Sequence, residues 1–167
     1  MKISVAADSD VVALTAVEIE SKRMSIARWI DPIEMDPARR LERWESYFAG
    51  KSPASAKPPR RVWKAMARDR VIGFLAAHLT TRFDMEAEIQ SMYVLWEYQR
   101  QGIGTALLRR AAEWLALRNA RRLCVGIEPA NPYRAFYAKH GAAYLNEHWM
   151  FWEDARAIKR QDLCSLG

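Results

Sequence analysis

The feature that most constrains the fold of this chain is a glycine turn between a predicted buried strand and a predicted helix, within residues 88–117. Two glycines, Gly102 and Gly104, let the backbone bend tightly and leave no Cβ between its N–H groups and a ligand. The first N–H groups of a helix have no intrahelical partner, and the helix dipole makes that end partly positive. The stretch therefore predicts a phosphate-binding turn, to which Arg100 adds a full charge.

Two common phosphate-binding motifs do not fit this turn. A P-loop ends in Gly-Lys-Ser/Thr, but Thr105 follows Gly104 directly and no lysine is present. A dinucleotide-binding fingerprint needs a third glycine, where Leu107 stands. It also needs an acidic residue roughly 20 positions further on, where the chain has two arginines, Arg121 and Arg122. Both motifs are therefore excluded.

The spacing that fits is Arg/Gln-x-x-Gly-x-Gly/Ala, matched by Gln99, Gly102 and Gly104. In this spelling the turn resembles the pyrophosphate loop of the GCN5-related N-acetyltransferases, the GNAT superfamily. The flanks agree, since residues 87–94 resemble the family's fourth strand and residues 105–118 its third helix. The resemblance implies an α+β fold with a mixed, mostly antiparallel sheet of six to seven strands flanked by about four helices.

Length and composition favour one domain over residues 1–167, with residues 155–167 as a C-terminal tail. Half of the 167 residues are hydrophobic, which argues against disorder. No apolar run approaches the roughly 20 residues that a membrane helix needs, and the N-terminus lacks the apolar core of a signal peptide. We expect a cytoplasmic protein with no membrane partner, and a homodimer is compatible with the sequence.

The cysteines and histidines give no sign of a metal or disulfide site. Cys124 and Cys164 are too few for a disulfide framework or a zinc site, and Cys124 falls within a predicted strand as a small buried side chain. His78, His140 and His148 lack metal-ligand spacing and are expected to serve the core or the surface. We therefore expect no metal.

The basic balance, a net charge of +6 and a pI of about 9.5, raises the question of nucleic-acid binding. The arginines occur as scattered pairs and not as one basic block. Solvated faces and attraction to a polyanionic cofactor explain them, and we expect no nucleic acid. A basic nucleic-acid binder, the rival hypothesis, predicts steeply salt-dependent affinity.

Hydrophobic periodicity and turn signals predict the element order β-α-α-β-β-β-α-β-α-β-β, which GNAT proteins share. Asp36 is predicted to cap the second helix, whose buried face would carry Leu41, Trp44 and Phe48, and Gly73 is predicted to mark a bulge. A mobile loop is expected at residues 51–59, and fraying from Arg156. The predicted strands cover residues 2–6, 61–67, 71–79, 87–94, 123–127, 142–148 and 149–155, and the helices residues 11–23, 37–48, 105–118 and 133–140.

The resemblance implies acetyl-CoA as co-substrate and a primary amine that attacks its thioester directly in a ternary complex. The turn's N–H groups would take the pyrophosphate, and the backbone at the end of the fourth strand would pair with the pantetheine arm. The cofactor-binding residues implied are Met92, Tyr93, Val94, Gln99, Arg100, Gln101, Gly102, Ile103, Gly104, Thr105 and Asn131.

Two catalytic residues follow from the same resemblance. Glu88 matches the family's catalytic glutamate, and Glu86 is a second candidate. Strand alternation predicts that Glu88 shares a face with Met92, and burial would raise its pKa toward a useful range. Alternatively, Glu88 faces solvent or pairs with an arginine. Tyr137, within Asn131-x-x-Arg-Ala-Phe-Tyr, matches the tyrosine that protonates the departing thiolate, and core packing is the alternative.

The acceptor pocket is the least defined part of the prediction. In the family it comes from the loop between the first two helices and from the last strands. Aromatic and acidic residues in these segments suggest a pocket for a cationic amine, although the tryptophans also suit the core. The candidates are Trp29, Asp31, Glu34, Trp149 and Trp152. A small amine, an aminoglycoside, an amino acid and a protein N-terminus stay open as acceptors. A non-catalytic acyl-CoA sensor is the alternative function.

Overall fold

The computed structural model describes residues 1–162, and the prediction for Cys164 lies outside them. A seven-stranded sheet with the order β1-β2-β3-β4-β5-β7-β6 forms the centre of these residues. The predicted fold class and element order are confirmed. The strands are β1 (Lys2–Val5), β2 (Ala56–Ala67), β3 (Arg70–Thr80), β4 (Ala87–Val94), β5 (Leu123–Gly126), β6 (Ala143–Asn146) and β7 (Trp149–Trp152), and the α-helices are α1 (Val11–Ser25), α2 (Pro37–Phe48), α3 (Ile103–Ala116) and α4 (Arg134–Lys139).

Strands β4 and β5 make the parallel pair of an otherwise antiparallel sheet, and they separate soon after they meet. Their register covers three positions, from Ala87 opposite Leu123 to Ile89 opposite Val125. Beyond Ile89, β4 continues to Val94 while no further pairing with β5 is formed in the described chain. This split leaves one backbone edge of β4 open in the middle of the sheet.

Two β-bulges alter the alternation of side chains. The predicted bulge at Gly73 is confirmed, because Ala65 pairs with Gly73 while Met66 pairs with Val71. A second bulge, which no residue pattern had indicated, lies in β4, where Gln90 is the extra residue between the partners of Ala76 and Ala77. An extra residue reverses which face the following side chains occupy.

Helix α2 begins as predicted but buries a different face. The Asp36 side chain accepts a hydrogen bond from Arg39 N at 2.8 Å, and Pro37 is the first helical residue. The residues buried from this helix are Arg40, Trp44 and Tyr47, not Leu41 and Phe48. The prediction followed apolar side chains alone, whereas a buried charge and a tyrosine occupy this face.

Two segments predicted to be irregular are ordered. Strand β2 starts at Ala56, within the expected loop, because the sheet edge offered by β3 extends to Thr80. The expected fraying from Arg156 is wrong for the described part, since Ala155–Asp162 forms a 3-10 helix. Its residues Ala155 and Ile158 are buried, and this apolar contact holds the segment against the core.

Within residues 1–162, none of the helices combines the length and apolar character needed to cross a membrane.

Candidate active site

The glycine turn enters helix α3 through two residues with left-handed backbone. Arg100 has φ 62° and Gly102, the N-cap residue, has φ 81°. The bond from Ala106 N to Gly102 O, at 3.0 Å, closes the first turn of the helix. The N–H groups of residues 101–105 precede that bond and have no intrahelical acceptor. A Cβ on Gly102 would meet no atom within 4 Å, so the turn faces open space.

Gly104 is needed for packing and not for its backbone angles. A Cβ at this position would lie 3.3 Å from the ring of Phe136 in α4 and 4.0 Å from Met92 Cε. The start of α3 therefore lies directly against α4 and the end of β4. This close approach brings the phosphate-type turn beside the split in the sheet.

The side chain of Gln99 ties the turn to its surroundings. Its Nε2 donates to Val94 O at 2.9 Å, and its Oε1 accepts from the Tyr133 hydroxyl at 2.9 Å. Gln99 thus links the end of β4 to the start of α4, which leaves its backbone as the part available to a ligand. The sequence reasoning missed Tyr133, because only the folded chain brings it to the turn.

A second link joins α3 to α4 through His140. Its Nδ1 lies 2.9 Å from Phe136 O, and its Nε2 lies 3.0 Å from Thr105 Oγ1. Because a carbonyl only accepts, Nδ1 carries the proton and Nε2 accepts from the threonine hydroxyl. The histidine is buried in this structural role, in agreement with the prediction for it.

Tyr137, in helix α4, is buried. Its ring packs edge-on against Phe136 and Trp152, with centroids 5.4 and 5.9 Å apart. Burial raises the pKa of Tyr137 and is the cause of that shift. Burial, with smaller effects of Glu18 and Tyr137, also raises the pKa of Tyr93. Tyr137 therefore keeps its proton at neutral pH, as a proton donor must.

Asn131 organises the approach to α4. Its Oδ1 accepts from Tyr133 N at 2.9 Å, and its carbonyl accepts from Arg134 N at 3.3 Å. The side-chain amide nitrogen takes no part in these bonds.

Glu88 lies in a polar cluster formed by β3, β4 and the turn that connects them. One carboxylate oxygen, Oε2, is 3.1 Å from Arg82 Nε, 3.2 Å from Thr80 Oγ1 and 3.6 Å from His78 Nε2. The carboxylate is buried. The alternative prediction, a glutamate that pairs with an arginine, is thus the arrangement found.

Two expectations for Glu88 are wrong. The bulge at Gln90 places Glu88 on the face of Ser91 and Tyr93, opposite to Met92. Burial acts to raise the pKa of Glu88, but His78 and Arg82 outweigh it, and the pKa lies below its ordinary value. The carboxylate is therefore ionised at neutral pH.

Glu86, the second candidate base, has a structural role at the start of β5. Its Oε2 accepts from the backbone N–H groups of Arg121 and Arg122, at 2.6 and 2.8 Å. The hydrogen bonds from Arg122 and then Arg121 lower the pKa of this carboxyl group. Glu86 thereby connects the beginnings of the two strands that later separate.

A cavity of about 280 Å³ lies on the α1/α2 side of the sheet, next to the bulge. Aromatic rings and polar side chains make up its wall, and Gln90 and Ser91 of the bulge form part of it. Glu88 is outside this lining. The lining residues are Glu18, Arg43, Trp44, Tyr47, Ser52, Pro53, Gln90 and Ser91.

A buried ion cluster supports the cavity wall. Glu18 accepts from Lys22 Nζ at 2.6 Å and from Trp44 Nε1 at 2.7 Å, and it lies 3.6 Å from Arg40. Arg40 in turn contacts Glu34 at 3.0 Å. Since the cluster engages both oxygens of Glu18, that carboxylate is occupied by protein groups.

The predicted acceptor residues do not line this cavity. Trp29 is exposed, with Arg28 over its ring at 5.1 Å, and Asp31 caps a short turn by accepting from Ile33 N. Trp149 packs against Phe83, with ring centroids 5.1 Å apart. Trp152 belongs to the core, where its Nε1 donates to His140 O, and Glu34 belongs to the ion cluster.

Comparison with known proteins agrees with this geometry. The model of the acetyltransferase (GNAT) family matches residues 19–142, which is more than half of the chain. The chain therefore belongs to the GNAT acetyltransferase family, and the resemblance drawn from the glycine turn is confirmed. No curated protein matches the sequence.

Solved structures share the fold at low sequence identity. A PaiA N-acetyltransferase from Thermoplasma acidophilum, in complex with coenzyme A, has a TM-score of 0.71 at 17% identity, over 92% of this chain and 99% of that chain. An aminoglycoside 6'-acetyltransferase type Ii has a TM-score of 0.65 at 21% identity, over 90% of this chain and 96% of that chain. The ribosomal-protein-S18-alanine N-acetyltransferase from Escherichia coli has a TM-score of 0.62 at 18% identity, over 90% of this chain and 92% of that chain. These likenesses establish the fold alone.

Proposed function

We propose that the protein is an acetyl-CoA-dependent N-acetyltransferase in which a primary amine attacks the thioester directly, within a ternary complex. The observation that carries the proposal is the glycine turn at the head of α3, which lies beside the open edge of β4 in a chain of the GNAT family. The solved PaiA N-acetyltransferase with this fold was crystallised with coenzyme A.

The chain fits the cofactor in two places. Gly102 offers open space and no side chain where a diphosphate would lie, and the N–H groups of residues 101–105 are free to donate to it. The edge of β4 at residues 92–94, where Gln99 already binds Val94 O, offers its remaining backbone groups to the pantetheine arm. Asn131 would add its amide. Acetyl-CoA supplies the acetyl thioester.

The proton chemistry falls to side chains on the two sides of the split. Tyr137, protonated and buried, gives a proton to the departing thiolate. On the other side the amine must lose a proton before it attacks, and the ionised carboxylate of Glu88 is the charge that favours this loss. The cavity beside Gln90 and Ser91 would receive the amine.

The test is thiol release from acetyl-CoA, measured across small amines, aminoglycosides, amino acids and peptides with a free N-terminus. We expect release that depends on one class of amine. Binding of acetyl-CoA without release for any amine would favour the acyl-CoA sensor instead. No binding of acetyl-CoA would contradict both.

A further inference from the structure

The side chains of three residues from three elements form a line that starts at the cavity with Tyr47, continues through His78 and ends at Glu88. The Tyr47 hydroxyl of α2 lies 3.1 Å from His78 Nδ1 of β3. On the other side of the imidazole, Nε2 lies 3.6 Å from Glu88 Oε2 of β4. His78 is fully buried, and its Nε2 has no hydrogen-bond partner within the described chain. This order, hydroxyl then imidazole then carboxylate, is the order in which a carboxylate supports a histidine base.

The positions of the hydrogens follow from the partners. Glu88 is ionised and only accepts, so the imidazole hydrogen is best placed on Nε2, facing the carboxylate. Nδ1 then accepts from the Tyr47 hydroxyl. The same hydroxyl lies 3.2 Å from Ala77 O, which is a second acceptor for its hydrogen when the imidazole is protonated. Each group in the line therefore has a role in both protonation states.

The tyrosine is the member of the line that reaches the cavity. Tyr47 lines the cavity together with Gln90 and Ser91, the bulge residues. Ala77, whose carbonyl its hydroxyl contacts, is paired in β3 next to that bulge. The hydroxyl thus lies toward the sheet side of the cavity, whereas Glu88 is outside the lining.

We propose that Tyr47, His78 and Glu88 form a proton relay that deprotonates the acceptor amine, a role that rests on the proposed function. A proton leaves the ammonium group for the Tyr47 oxygen while the Tyr47 hydrogen moves to His78 Nδ1. One N–H bond breaks at the amine, one forms at the imidazole, and the positive charge moves with it. Glu88 stabilises the imidazolium. Tyr47 touches the substrate, and His78 and Glu88 act through it.

Among the residues that the structure describes, two arginines and one cysteine, from the elements packed around the relay, are the titratable or charged neighbours of its three side chains. Arg60 of β2 lies opposite His78 in the strand register. Its guanidinium group lies over the Tyr47 ring, 4.8 Å from the centroid. Arg82 contacts Glu88 at 3.1 Å, and Cys124 of β5 is paired opposite Glu88. The two arginines flank the ends of the line and not its centre, so Glu88 is the acidic group that faces the imidazole.

The first measurement is turnover of Tyr47→Phe with the amine that supports thiol release in the wild type. We expect kcat to fall by about 10²–10⁴-fold, the usual contribution of general acid–base catalysis. Calorimetry should give unchanged affinity for acetyl-CoA, because Tyr47 lies on the other side of the sheet from the glycine turn. His78→Gln, which keeps a polar side chain but cannot take up a proton, should show the same loss.

The pH dependence separates a relay from a structural hydrogen bond. Glu88→Gln removes a negative charge beside the imidazole, which disfavours the protonated ring. The acid limb of the kcat/KM profile should therefore move to lower pH as the rate falls. Tyr98→Phe, which removes a hydroxyl outside the cavity lining, serves as the matched control and should keep both the wild-type rate and profile.

The outcomes distinguish the relay from the proposed function. Wild-type thiol release that survives Tyr47→Phe and His78→Gln within twofold overturns the relay alone. The relay alone is also overturned if Glu88→Gln leaves the acid limb in place. Absence of thiol release from the wild type with every amine overturns the proposed function together with the relay.

Discussion

The proposed cofactor side and the proposed acceptor side of the candidate site consist of different parts of the protein. The cofactor side consists of backbone N–H groups in one short run, shaped by Gly102 and Gly104 and held by Gln99. The acceptor side consists of side chains that come from α1, α2, the loop after α2 and β4, far apart in sequence. The buried carboxylate Glu18 lines it and the buried carboxylate Glu88 lies outside the lining, each with protein partners.

This difference predicts different responses to substitution. Where backbone groups bind the ligand, binding is sensitive only to substitution at the few positions where a side chain would block access to them. Substitutions elsewhere in the site should be tolerated. A site made of buried charged side chains depends on each partner, because removing one leaves the other uncompensated. Substitutions on the two sides should thus separate cofactor affinity from stability and rate.

The largest effect is expected where the two sides meet. Tyr137→Phe removes the proposed proton donor but keeps the packing against Trp152, so kcat should fall by about 10²–10⁴-fold. Steady-state kinetics should give this loss with little change in KM for acetyl-CoA. Unchanged kcat would mean that Tyr137 only fills the core.

The next effect tests the acceptor side through its ion cluster. Glu18→Ala removes the buried carboxylate that Lys22 and Arg40 share and leaves them only the partly exposed Glu34, at a cost of about 3–5 kcal/mol in the free energy of unfolding. Urea unfolding measures this loss in the free energy of unfolding. Glu20→Ala is the control, since its pair with Arg70 is exposed and should contribute about 1 kcal/mol or less. Equal losses for both variants would contradict the difference between the two kinds of site.

A smaller effect concerns the helix that carries Trp44 and Tyr47 to the cavity. Asp36→Ala removes the side chain that caps α2 at Arg39 N, which should cost about 0.5–2 kcal/mol in thermal or urea unfolding. Asp36→Asn keeps an acceptor and should recover most of this loss. If both variants lose the same amount, the cap is not the cause.

The smallest effect is a pH dependence at the start of the split. The backbone N–H groups of Arg122 and Arg121 hold the pKa of Glu86 below its ordinary value. A carboxyl whose folded pKa is depressed stabilises the fold above its unfolded pKa of about 4.3, and the contribution is lost as pH falls through the folded value. The loss of unfolding free energy between pH 6 and pH 3 should be smaller in Glu86→Gln than in the wild type. An identical loss would contradict the assignment.

The cofactor side could be predicted from the sequence because its information is local. Gln99, Gly102 and Gly104 stand close together in one short segment, and their spacing specifies both the turn and the start of the helix. The strand and helix that flank them fell within two residues of their predicted bounds. Family membership followed from the same residues.

The acceptor side could not be predicted because its information is spread over the fold. The bulge at Gln90 has no local signal, yet it moves Glu88 to the face opposite Met92. Trp29 and Trp149 had suitable chemistry but lie outside the cavity, while His78 has no partner that sequence spacing reveals. Buried polar side chains such as Arg40 also contradict the rule that buried helix faces are apolar.

The most direct test of the account is calorimetric titration of acetyl-CoA into the wild type and Gly102→Val. Gly102 has φ 81° and faces open space, so a branched side chain there would strain the turn and fill the place of the diphosphate. We predict saturable binding to the wild type and at least about a tenfold loss of affinity, or 1.4 kcal/mol, in the variant. No binding to the folded wild type, or equal affinity in both proteins, would contradict the central claim.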